Sequence, residues 1–388
     1  MIHNFSASYA GYIVDDNIGL EGTPANDRRY SNEALAGTFD WALDIAQHLD
    51  RLGYKEFWMA EHHFQPEGYE GIPNLLMLGL YLATQTEQLR FGCGFNITPM
   101  WHPLRLAEDF AMADILTKGR VIFGVGRGYH TREVETFGTP MLDGDANRDL
   151  FEEQVEIILK AFQEESFSHE SKHYRIPARV PYRGYTLEKL TLVPRPFSQP
   201  VEVWQPLVSP NPRGVDFMVK MGIKPLIANT PEPQLRERME MFRQVAASHG
   251  RELQMGQDVA LGYRFFIAES QEKAIQQARP YFEETMKFAA PLGLMQIRPE
   301  QVEALANPSR FPGVALPTLE DAVSRHSWLC GPPDLIIEHL KQVEKDYPGV
   351  ERVNLGSVMG MPLEVFKDQL TMFAQGVMPA FPTQSGGA

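Results

Sequence analysis

LRFGCGFNITPMWHPLRLAEDFAMADILTKGRVIFGVGRG, residues 89–128, reads as strand, helix, strand. The part before His102 and the part after Gly119 are short apolar runs punctuated by glycine, the pattern of buried strands. Between them Leu104, Ala107, Ala111 and Ile115 recur at helical spacing on one face. A strand, a crossover helix and a second strand imply a parallel sheet.

The alternation continues in both directions. Upstream lie a first strand near Asn4–Ala10, a helix carrying Phe39, Leu43, Ala46, Leu49 and Leu52 with a Gly53 stop, the strand KEFWMAEHHF, and a very apolar helix capped by Asn74. Downstream, the strands VEVWQPLVS, KPLIANT, VALGYRFFIAE and ERVNLGSVMG alternate with helical patterns that end around Leu363, Phe366, Leu370, Phe373 and Val377. About eight strand–helix units predict a closed (β/α)8 TIM barrel, one domain over residues 1–388. Two stretches exceed the minimal barrel, residues 164–200 and 270–331; they are read as insertions, with a cover over the C-terminal mouth of the barrel. Residues 382–388 read as a disordered tail.

Thirty-six basic against fifty acidic residues give a net charge of -14, which repels phosphate backbones and anionic bilayers. Neither nucleic acid nor membrane is an expected partner. The cysteines, Cys93 and Cys330, make no disulfide framework and no zinc signature, and fit a reducing compartment. With no signal-peptide pattern at the N-terminus and no apolar run of membrane length, the expected location is the cytoplasm.

Barrel chemistry sits at the C-terminal ends of strands, which directs attention to Glu61, His62 and His63. On a regular strand His62 and His63 would point to opposite faces, which weakens a metal site. A metal-dependent hydrolase using His62, His63 and His102 would need further ligands, but the fourth, fifth and sixth strands end in Arg127, Ser209 and Asn229. No metal is expected, and a merely hydrogen-bonded interior histidine stays open as the plain alternative. In FGVGRGYH, Gly124, Gly126 and Gly128 do not form a dinucleotide fingerprint, because Tyr129 stands where the third glycine belongs. What remains is a Gly-rich strand end carrying Arg127, with Arg148 at the start of the next helix. That pattern suits a phosphate, or else tight packing with surface ion pairs.

From Gly53 to Arg148 the chain resembles the bacterial luciferase-like, flavin-dependent monooxygenases. The matching motifs are EHHF, GCGFNITPMWHPLRLAED, KGR before the fourth strand and FGVGRGY…FGT after it. The resemblance implies that His62 lies beside the reactive flavin ring as the catalytic group. It implies that Arg127 and Arg148 hold the FMN phosphate, with the backbone of Gly126, Gly128 and Tyr129 close by. It places a non-proline cis peptide at Gly94–Phe95 under the ring, with Phe95 larger than the alanine of luciferase. Asn96 would offer a polar group toward the ring, and Ser209 would be a further phosphate ligand. The implied activity is oxygenation of a small, largely apolar substrate by reduced FMN and O2 through a peroxyflavin, with a separate flavin reductase supplying the reduced FMN. A deazaflavin-dependent oxidoreductase and a non-catalytic flavin-binding protein of the same fold are the alternatives. Phe64, Phe95, Trp101, Trp204 and Met359 are expected either to line an apolar pocket or to pack the core. The helix Leu75–Thr84 is apolar on nearly its whole circumference, so a homodimer covering it is expected.

Overall fold

The computed structural model describes residues 1–295, 297–306 and 313–381; the stretch read as a disordered tail lies outside the described residues. Eight parallel strands close into a barrel: β1 Asn4–Tyr9, β2 Glu56–Met59, β3 Arg90–Cys93, β4 Val121–Gly126, β5 Val203–Pro206, β6 Lys224–Ala228, β7 Ala260–Ile267 and β8 Arg352–Gly356. Each pairs with its chain neighbours, and β8 returns to β1 with Phe5 opposite Val353. Around them run α1 Asn32–Leu52, α2 Leu75–Ala83, α3 Pro103–Thr117, α4 Gly144–Gln163, α5 Pro212–Lys220 and α6 Glu232–Ser248. The helices α7 Gln271–Ala289, α8 Pro333–Asp346 and α9 Leu363–Gly376 complete the set used below. Helix boundaries follow local chemistry: Ser31 Oγ accepts from the Ala34 N–H at 3.2 Å to open α1, and Gly53, left-handed at φ 81°, closes it. Asn74 caps α2 in the same way at 2.8 Å.

The barrel is filled, not hollow. Trp58, Ile122, Trp204 and Ala260, from four different strands, form one interior cluster against Phe95, with the two indoles 6.0 Å apart. Trp204 is therefore core and not pocket lining, and Met359 is likewise buried in the main core. Below this layer Glu56 and Glu202 bind Arg90 and Arg352, a charged plug at the N-terminal ends of the strands. The opposite end is left for chemistry.

Three strands are shorter than the apolar runs suggested. β2 stops at Met59, so Ala60 to Phe64 are loop, and β3 stops at Cys93. The Gly94–Phe95 peptide is cis, and the chain then rejoins the sheet as a two-residue strand, Asn96–Ile97, beside β4. β5 ends at Pro206.

Residues 164–200 hold two short antiparallel hairpins. Their contacts run along α3 and α4: His169 and the N–H groups of His173 and Tyr174 meet Glu153, and Ser198 bonds Asp114. Those buried carboxylates fix this insertion to the helices along the barrel wall. The second insertion behaves differently. Glu284 of α7 is fully buried and receives Arg28 at 2.9 Å, Lys287 at 2.9 Å, the Tyr69 hydroxyl at 2.6 Å and the Gly19 N–H at 3.0 Å. It thereby ties α7 to the loops that follow β1 and β2. The same insertion contains a strand that periodicity did not reveal, Trp328–Gly331, which pairs in parallel with the C-terminal half of β7. Among the described residues no helix is long and apolar enough to cross a membrane.

Candidate active site

Past Met59 the chain leaves the ladder and Glu61 anchors it. Its buried carboxylate accepts from the Ile97 N–H at 2.6 Å and the Trp101 indole at 2.8 Å, and lies 3.2 Å from His63 Nε2. The His62 N–H donates to the Ile72 carbonyl at 2.9 Å, which turns its ring inward. His62 and His63 do diverge, but through this loop geometry and not through strand alternation. Phe64 is exposed and stacks on Phe137.

The buried ring of His62 is held at both nitrogens. Nδ1 lies 3.3 Å from both Glu133 oxygens, and Nε2 lies 3.0 Å from the Tyr129 hydroxyl and 3.3 Å from Glu70. Tyr129 donates to Glu70 at 3.0 Å, and Glu70 also meets His130 Nε2 at 3.1 Å. Gln65 Nε2 donates to Glu133 at 2.9 Å and reaches Glu70 at 3.3 Å. Burial disfavours the imidazolium of His62, but Glu70, then Glu133 and Glu61, outweigh it and raise its pKa above the ordinary value. Burial likewise works against the Glu133 carboxylate, yet its bond to His62 holds its pKa below the usual range. Burial and the adjacent Glu70 raise the Tyr129 phenol far above its usual pKa, so it donates and is not ionised. Burial pulls the guanidinium of nearby Arg264 down to about 10.

Glu70, His130, Glu133 and Gln65 did not stand out in the sequence. They sit in a loop after β2 and in the turn and short helix after β4, where carboxylates are ordinarily solvated. The one available signal was their position, since both segments follow the C-terminal ends of barrel strands. The histidines of the metal reading do not converge: His63 pairs with Glu61, and His102 caps α3 by accepting from the Leu104 N–H. Among the described residues, the donor set that could hold a metal is His62, Glu70 and His130, whose ligand atoms lie within 4.8 Å of one another.

The second cluster lies on β4, α4 and α5. Gly124 and Gly126 serve packing: a Cβ on Gly124 would fall 1.8 Å from the Cys93 carbonyl, and one on Gly126 would lie 3.2 Å from Phe95. Gly128 is left-handed at φ 83° and backs onto Val134 and Ile97. Arg127 is half-buried, and among the described residues its guanidinium hydrogen-bonds only neutral oxygens, Asn147 Oδ1 at 3.2 Å and the Gly144 carbonyl at 3.4 Å. Burial, then the neighbouring Arg148, lower its pKa, the mark of a cation set beside a cation. Arg148 lies 3.7 Å from Glu152 and against the first turn of α5, where a Cβ on Gly214 would be 2.9 Å from its Nη1. The N-terminus of α5 thus faces the same place, with exposed Ser209 just before it. Asn96 is fully buried and its amide donates to the Gly124 carbonyl at 2.8 Å, so it braces β4, while its Oδ1 has no partner among the described residues.

Comparison with known proteins adds to this geometry. The chain is 25% identical to the oxygenase component of the flavin-dependent trigonelline monooxygenase of Acinetobacter baylyi, over 88% of this chain and 90% of that one. Several other curated relatives are matched over only about half of their own length. Its fold is that of the oxygenating constituent of 3,6-diketocamphane monooxygenase of Pseudomonas putida, a type II Baeyer–Villiger monooxygenase solved with FMN. The TM-score is 0.73 at 18% identity, covering 98% of this chain and 99% of that one. An F420-dependent secondary alcohol dehydrogenase shares the fold at a TM-score of 0.68 and 15% identity, over 98% of this chain and 99% of that one. The luciferase-like monooxygenase family model matches residues 22–348, most of the barrel and both clusters, and the chain belongs to that family.

Proposed function

We propose that the protein is the oxygenase component of a two-component system, using reduced FMN from a separate flavin reductase, and O2, to oxygenate a small, largely apolar molecule in the cytoplasm. The observation that carries the reading is Arg127, a half-buried guanidinium with no carboxylate partner among the described residues, set beside Arg148 at a helix N-terminus. Two adjacent cations beside a helix N-terminus fit a phosphate dianion, which would relieve the repulsion between them. Arg127 and Arg148 would hold that phosphate, with Gly128 and Ser209 beside it. Bound in its reduced form, the flavin supplies the electrons that activate O2.

The chain's own part is to orient, to exclude water and to manage a proton. Glu70 and Glu133 favour the protonated form of His62, whose Nε2 lies 3.0 Å from the Tyr129 hydroxyl. A proton held there can be delivered to a developing anionic oxygen at the barrel mouth. The α7 segment, bound through Glu284, limits access of water to that mouth. The trigonelline enzyme's designation as an oxygenase component supports a reductase partner here.

Spectroscopic titration with FMN and with F420, followed by O2 uptake under chemically reduced FMN, tests the reading. Tight FMN binding with O2 consumption is expected. Binding of F420 with none of FMN would replace the proposal with a deazaflavin-dependent oxidoreductase, and FMN binding without turnover would leave a flavin-binding protein.

A further inference from the structure

A cavity of about 320 Å³ opens between the loop after β2, the turn after β4 and the C-terminal end of α7, and nothing in the flavin reading uses it. Gln65 and His130 form its polar end, while Phe288, Leu292 and Leu305 form its apolar wall. That polar end belongs to the His62 network, since Gln65 and His62 share Glu133, and His130 shares Glu70 with Tyr129.

Hydrogen-bond accounting fixes what this end can recognise. Gln65 presents its amide nitrogen to two carboxylates, at 2.9 and 3.3 Å, so the nitrogen and oxygen of the amide cannot be exchanged. Its Oε1 therefore faces away from them with no partner among the described residues. His130 Nε2 stands 3.1 Å from the Glu70 carboxylate and carries a hydrogen there. Gln65 lines the cavity and is more than nine-tenths buried, so its unclaimed Oε1 can take a donor only from the cavity side. The charged groups at the rim are already matched, Arg132 to Glu67 at 2.8 Å and Lys287 to Glu284 at 2.9 Å. Among the described residues no lining cation or carboxylate is left unmatched to select a charged ligand.

We propose that this cavity is the substrate site, and that it selects a small, uncharged, largely apolar molecule bearing a hydroxyl group, which donates to Gln65 Oε1. The assignment to substrate rests on the oxygenase reading; the donor selectivity rests on the cavity alone. The volume admits a molecule the size of a substituted phenol or a monoterpenoid alcohol. A ketone or ether of the same shape would set an acceptor against Gln65 Oε1, leaving both unsatisfied.

Calorimetric titration with 4-isopropylphenol and with its methyl ether, each with and without FMN, tests this. The phenol should bind about tenfold tighter than the ether, the scale of one lost hydrogen bond. Gln65→Leu should bring the two ligands close to parity, and Leu292→Trp, which fills the apolar wall, should weaken the phenol at least tenfold. FMN titration of each variant reports whether the barrel is intact. Equal binding of phenol and ether to the unmodified protein, or phenol binding untouched by Leu292→Trp, would overturn the inference. Phenol selectivity in a protein that binds no FMN would overturn the flavin reading and leave the donor-selective cavity standing.

Discussion

Arg127→Ala separates a ligand cation from a structural one. In the free protein this side chain makes two long hydrogen bonds to neutral oxygens, at 3.2 and 3.4 Å, each contributing at most about 1 kcal/mol. Against that stand the burial of an unpaired guanidinium and its repulsion by Arg148, both relieved by the substitution. The stability of the flavin-free protein should therefore change by less than about 1 kcal/mol. FMN loses a charge-assisted contact, about 1.5–3 kcal/mol, or roughly ten- to a hundredfold in Kd. Riboflavin, with the same ring and no phosphate, should bind both proteins nearly equally. Fluorescence-quenching titrations with the two flavins and urea melts of both proteins give the comparison. Equal losses for FMN and riboflavin, or a melt displaced by more than ~2 kcal/mol, would show Arg127 to be structural and would refute the phosphate reasoning.

In His62→Ala, FMN binding should persist while substrate oxygenation falls by ~10²-fold or more and hydrogen peroxide release rises; normal coupling would return His62 to a structural role. His63→Ala, which loses the Glu61 hydrogen bond and the edge contact with Phe137, should be the milder change in the same assay. The raised pKa of His62 means that its contribution to stability is complete below the unfolded value of about 6.5 and is lost as pH rises through the folded value. Glu133→Gln should move that loss to lower pH, read by imidazole NMR, and an unmoved titration would remove Glu133 as the cause. Glu284→Ala leaves Arg28 and Lys287 buried without their carboxylate and should destabilise by ~3–5 kcal/mol in urea melts; a loss under ~1 kcal/mol would mean that water replaces it. Met77 and Leu116 on α2 and α3 are 72% and 59% exposed, so Met77→Glu with Leu116→Glu should convert the expected homodimer to a monomer in light scattering. A monomer before any substitution would end that expectation.

The barrel was legible because its signal is redundant. Each β/α unit repeats a period-2 or apolar run followed by a period-3.6 face, so an error in one boundary leaves the closure unchanged. Strand ends were not legible. Ala60 to Phe64 read as a continuation of β2, but Glu61 draws the backbone out of the ladder by bonding Ile97 and Trp101, a tertiary event that no local pattern encodes. His62, Arg127 and Arg148 were found because each combines a strand or helix end with a residue type that chemistry favours there. Glu70 and Glu133 were missed because a carboxylate is read as solvated until its burial is seen, and their partners lie some sixty to seventy residues away along the chain. The strand Trp328–Gly331 was missed for a related reason: its partner is the far half of a strand already assigned to the barrel.

That pairing of Ile267 with Gly331 has a consequence for how this chain can change. Everything between the two residues leaves β7 and returns to β7, so the excursion is stapled shut at its own base. Its length is thereby uncoupled from the closure of the barrel. Doubling such a loop adds only ~0.6 kcal/mol of closure entropy, and none of that reaches the other seven strands. The segment is thus the natural place to graft a relative's corresponding excursion, exchanging the wall supplied by α7 while the phosphate cluster and His62 stay put. One covenant must travel with the graft: an acidic residue at the Glu284 position for Arg28 and Tyr69 to grip.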